Sequence, residues 1–126
     1  MFNVLAWFRN PEREIKHLNR DARAVVDDVF LGYPVDRARE VAVRTRAYID
    51  EAHEKARHDV GRYGEVAARY RTLNQDARQR SDQVAMSSLT LAIIYLGAEA
   101  HGPACAPARA AIDEFLGHWS HVEKEP

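Results

Sequence analysis

An apolar and small-residue stripe runs from Val41 through Thr45, Tyr48, Ala52, Ala56, Val60, Tyr63, Ala67, Tyr70 and Leu73 to Ala77, eleven positions in ten steps over 36 residues. The mean step is 3.6 residues, the period of an α-helix. The stripe sets an all-α class. No catalytic or cofactor-binding cluster sits on it at a specific spacing, so it describes a scaffold and no chemistry.

The 126 residues suit one helical domain, 1–126, able to bury roughly 65% of its extended-chain surface without disulfides or a structural metal. The net charge of −1 draws the chain neither to nucleic acid nor to an anionic membrane. Its distribution is uneven: residues 36 to 80 hold eleven Lys or Arg against eight Asp or Glu, and residues 81 to 126 hold two against six. The single Cys105 has no intramolecular partner, which fits a reducing cytoplasm. The Arg- and Ala-rich composition suggests a bacterial source. The apolar opening, residues 1 to 10, lacks a basic n-region and a cleavage site, so secretion is not expected. A second apolar run, residues 84 to 98, contains Ser87, Ser88 and Thr90 and is shorter than the roughly 20 residues that span a bilayer. No transmembrane segment is expected.

Asn10 and Pro11 followed by Glu12 and Glu14 make a helix start: a side-chain cap, a preset φ, and acids at the positive end of the dipole. The first helix should bury Ile15, Leu18, Ala22, Val25, Val26 and Val29. Gly32, Tyr33 and Pro34 should end it, with Gly32 supplying a left-handed cap. The next helix restarts near Pro34 or Asp36. Gly61 and Gly64 interrupt it, and each costs a helix interior about 1 kcal/mol. The stripe nevertheless keeps its phase across them. The expectation is therefore one long amphipathic helix over about 36–80, bent or broken at these glycines, roughly 67 Å long if continuous. A helix of that length needs cover from other helices or from a second copy, so a homodimer is expected.

Ser81 or Asp82 caps a largely buried apolar helix over about 82–101 that ends before Gly102 and Pro103. Being apolar on almost every face, this helix should be the most enclosed, or else lend one face to a partner. Pro107 opens a last helix burying Ala108, Ala111, Ile112 and Phe115, and residues 121–126 form a frayed tail. The whole reads as a bundle of four to five helices.

Two Glu-x-x-His-like pairs invite a di-iron comparison, Glu14 with His17 and Asp50 with His53. On helical wheels His17 points about 125° and His53 about 90° away from their helices' apolar faces, so both are expected at the surface. His101, Cys105, His118 and His121 offer a thiolate and imidazoles suited to zinc or iron. The usual pair of short Cys or His spacers is absent, and a small buried Cys beside solvated histidines accounts for the same residues. No cofactor is expected, with zinc or iron on these four as the alternative.

Arg outnumbers Lys fifteen to three, and Arg forms forked contacts to carboxylate and phosphate. Glu40 with Arg44, Glu51 with Lys55, Glu65 with Arg69 and Asp76 with Arg80 have the favourable acid-first i,i+4 order. Arg37, Arg39, Arg57, Arg62, Arg71 and Arg78 have no such partner. No basic recognition helix, nucleophile elbow or phosphate loop is present, so nucleic-acid binding is a third-ranked alternative and catalysis is not expected. The expected function is a non-enzymatic protein–protein interaction module: an adaptor, regulator or inhibitor. Its contact face would be Arg37, Arg57, Arg62, Arg71 and Arg78 with Tyr48, Tyr63 and Tyr70, residue types enriched at binding hot spots. The segment holding Phe2, Val4, Leu5, Trp7 and Phe8 packs on its own bundle or docks in a partner's groove or a membrane interface.

Overall fold

The structure, a computed structural model, describes residues 11–58 and 62–124, without the side chains of residues 62, 63 and 120 to 124. Five α-helices make a bundle: α1 (Pro11–Gly32), α2 (Val35–His58), α3 (Arg62–Gln79), α4 (Gln83–His101) and α5 (Ala106–Lys124), with a 3-10 turn at Gly102–Cys105. The apolar segment of residues 1 to 10 lies outside the described residues, as do the side chains of the 121–124 tail.

The caps follow from local chemistry. Asp82 accepts a hydrogen bond from the Ala85 N–H at 3.1 Å and so starts α4. Gly102 ends α4 with φ 75° and donates its N–H to the Ala98 and Glu99 carbonyls. Gly32 does not use the left-handed region expected of it. Among the described residues Ser81 does, at φ 56°. The Ser81 N–H bonds the Arg78 carbonyl and the Asp82 N–H the Ala77 carbonyl, the two bonds of a Schellman closure. The α1–α2 junction needs no such cap, because the Tyr33 N–H still reaches the Val29 carbonyl and the Ala38 N–H the Pro34 carbonyl.

The amphipathic segment over 36–80, expected bent or broken at Gly61 and Gly64, is broken: α2 ends at His58, α3 starts at Arg62 with Gly64 inside it, and the two fold back on each other as a helical hairpin. Tyr70 donates its phenol hydrogen to the Tyr48 carbonyl at 2.6 Å and to Glu51 at 2.9 Å, and Arg69 lies 3.5 Å from Glu51. These pairs straddle residue 60 evenly. The stripe kept phase because His58 and Arg62 are four positions apart, close to one helical turn, and because both halves face the same α4. Val41, Thr45, Ala52 and Ala56 from α2 and Val66, Tyr70 and Ala77 from α3 are buried there. Folding back supplies from within the chain the cover that a 67 Å helix would have needed from outside.

The apolar α4 is the axle. It packs against all four other helices. Val84, Leu89, Leu91, Ala92 and Ala98 on it are at most 1% exposed. Small residues let α2 approach closely, and the buried hydroxyls there are satisfied: Thr45 donates to the Val41 carbonyl at 2.7 Å and Ser88 to the Val84 carbonyl at 2.8 Å. By composition the stretch Gln83–Trp119 is apolar enough to cross a membrane. The Gly102–Cys105 turn divides it into two helices, and the core-facing residues of both are buried in the bundle.

Asn19 fastens α5 to α1. Its side-chain amide donates to the Ala104 carbonyl at 3.2 Å, and its oxygen accepts from the Ala108 N–H at 3.0 Å. It thereby caps a helix that lies 89 residues further along the chain.

Candidate functional site

Around α4 the neighbours follow in the order α1, α5, α2, α3, each touching the next, and among the described residues α3 does not touch α1. That gap is a notch of about 430 Å³. Its floor is the strip of α4 that holds Thr90, Ile93 and Ile94. One wall is α1, with Asp21, Ala24 and Val25, and the other is α3, with Arg71, Asn74, Gln75 and Arg78. Thr90 and Ile93 are half-buried. Met86, Thr90, Ile93 and Gly97 recur at helical spacing, so the incompletely covered strip is a single face of α4. At one end Leu18 closes over it: a Cβ on Gly97 would stand 3.3 Å from the Leu18 side chain.

The walls differ in charge. On α3, Arg69 lies beside Glu51 and Arg80 beside Asp76 at 2.8 Å. Arg71 and Arg78 have no carboxylate partner among the described residues; Arg78 makes one long contact of 3.4 Å with Asn74. Seven residues apart, they share a face of α3 about 10 Å from each other along the axis. On the α1 wall, Asp21 is matched by Arg20 at 3.1 Å. The notch is thus an apolar floor beside two uncompensated cations.

The residues expected to form one contact face are dispersed. Arg37 pairs with Glu40 at 3.1 Å near the start of α2, and Arg57 with Glu54 at 2.6 Å near its end, about 30 Å away. The guanidinium of Arg57 holds the Glu54 carboxyl below its usual value. Tyr70 is fully buried in the hairpin, and Tyr48 is half-buried, its ring 5.3 Å from that of Tyr70. The side chains of Arg62 and Tyr63 lie outside the described residues. Arg71 and Arg78 come together on one wall. The floor residues Thr90 and Ile93 were not singled out from the sequence. Their one signal was the hydroxyl at Thr90, which with Ser87 and Ser88 interrupts an otherwise apolar run.

The ligand-type residues are dispersed too. Cys105 is fully buried in the 3-10 turn, and burial, with Glu14 nearby, raises its thiol pKa. His118 lies about 18 Å further along α5. There its ring stands edge-on to Phe30 at 5.6 Å and to Trp119 at 4.6 Å. His101 ends α4, and the His121 side chain is outside the described residues. Among the described residues no group of three or more His, Cys, Asp or Glu is placed to hold a metal ion. His17 is exposed and contacts Arg20 at 2.9 Å. His53, expected at the surface, is half-buried and bonds Glu99 across to α4 at 2.7 Å. The neighbouring Arg109 donates to the Tyr95 phenol at 3.0 Å.

No protein-family model, curated protein or solved structure matches this chain.

Proposed function

We propose that the chain is a non-enzymatic protein–protein interaction module that binds its partner in the notch between α1 and α3. One observation carries this: the partly uncovered face of the core helix α4 borders Arg71 and Arg78, two cations without a carboxylate partner among the described residues. Arg beside a partly desolvated apolar surface is the composition of an interface centre. The homodimer expected from the sequence rested on an uncovered long helix, and the hairpin takes away that reason. The notch is what now supports an interaction role.

The test compares three tagged full-length baits in one lysate: the wild type, Arg71→Glu with Arg78→Glu, and the charge-matched control Arg13→Glu with Arg46→Glu, with helicity checked by far-UV circular dichroism. A set of proteins held by the wild type and the control and lost from the notch variant supports the proposal. Equal capture by all three refutes it.

A further inference from the structure

We infer that the notch takes one amphipathic helix of a partner protein, lying along α4 with acids about seven residues apart against Arg71 and Arg78; this rests on the interaction-module reading above. The first argument is shape. Four helices surround α4, and the notch is the break between α3 and α1 in that ring. Its floor is a helical face, so an occupant that follows it along its length and anchors at i, i+3, i+4 and i+7 is itself a helix.

The second argument is charge. The α1 wall is internally balanced by Arg20 and Asp21, and the α3 wall carries two uncompensated guanidinium groups. Acids at i and i+7 on a helix repeat every 10.5 Å or so, the same spacing as Arg71 and Arg78 on α3. Carboxylate is also the group that guanidinium binds in a fork. The chain's own first ten residues contain no Asp or Glu and include Arg9, so the charge of the notch disfavours them as the occupant. A notch of about 430 Å³ receives only the anchor side chains of a docked helix. Such small contacts are those of weak, transient complexes.

The experiment uses two labelled 18-residue helical peptides with one identical leucine stripe, carrying Glu in one and Lys in the other at two flanking positions seven apart. Binding to the full-length protein is read by fluorescence anisotropy at low and moderate salt. The expected result is at least a tenfold preference for the Glu peptide, kept by Arg71→Lys with Arg78→Lys and reversed by Arg71→Glu with Arg78→Glu. Absence of binding, or a preference that the reversal leaves unchanged, overturns the inference. So does a native mass spectrum of the protein alone showing a dimer that the Glu variant dissociates, which gives the notch to a second copy. Binding gained only by Leu5→Asp with Trp7→Asp gives it to the chain's own first residues and equally overturns the inference. If both peptides fail while the Glu variant still loses the captured proteins, the module stands and the helical ligand falls.

Discussion

Replacing Tyr70 by Phe should cost about 1.5 to 2 kcal/mol, because it deletes one hydroxyl and leaves a fully buried ring in place. The phenol hydrogen faces the Tyr48 carbonyl at 2.6 Å and Glu51 at 2.9 Å. A hydrogen bond to a charged acceptor contributes about 1.5 to 3 kcal/mol. The lower half of that range applies because neither acceptor is stranded: the Tyr48 carbonyl stays within α2's own ladder, and Glu51 is 40% exposed and keeps Arg69. No cavity forms, so the larger loss of an aromatic-to-Ala change, about 3 to 5 kcal/mol, does not arise. For a chain of this size the midpoint should fall by about 6 °C. A double-mutant cycle with Glu51→Ala, followed by urea unfolding, should return a coupling near 1 kcal/mol. Were α2 and α3 one straight helix, residues 48 and 70 would stand about 33 Å apart and the coupling would vanish. A neutral Tyr70→Phe with coupling below about 0.3 kcal/mol would refute the hairpin.

Ser81 holds φ 56° at the α3–α4 turn, so Ser81→Gly should raise stability by about 1 kcal/mol, read as a higher urea midpoint at unchanged m; a lower midpoint would mean that the turn is not left-handed. Asn19→Ala removes both bonds that tie α1 to the Ala104 carbonyl and the Ala108 N–H, and should cost about 1 to 2 kcal/mol, with amide exchange accelerating first at the start of α5. Burial raises the phenol pKa of Tyr70, and of Tyr95 too. The unfolded chain ionises its tyrosines near pH 10 while the folded chain resists, so this contribution is intact below about pH 10 and is lost as pH rises above it. Thermal melts at pH 9 and pH 11 should show a smaller loss for Tyr70→Phe than for the wild type, and equal losses would contradict the burial of that phenol.

The helical class, the ends of four helices and most of the core were legible from local information. The Gly32–Pro34 break, Asp82, Gly102 and Pro107 act through backbone geometry within a few residues, and all four mark boundaries found. The inner faces read from periodicity point to the core, with Ala108, Ala111, Ile112 and Phe115 buried, Ala22, Val26 and Val29 buried, and Ile15, Leu18 and Val25 partly buried, because side-chain direction in a helix depends only on register. The hairpin was not legible. A stripe in phase over Gly61 and Gly64 is compatible with one helix and equally with two helices seated on a common third, and what separates these is the gain from folding Tyr70 onto Tyr48 and Glu51. Long-range polar contacts such as Asn19 with Ala104 and His53 with Glu99 were hidden for the same reason, since their partners lie 85 and 46 residues away. The candidate site belongs to this second kind. Arg71 and Arg78 could be seen as cations lacking an i,i+4 acid, but the apolar floor beside them exists only because α1 and α3 pack on α4 without meeting. A gap between helices is a property of their assembly, and no single helix's sequence carries it.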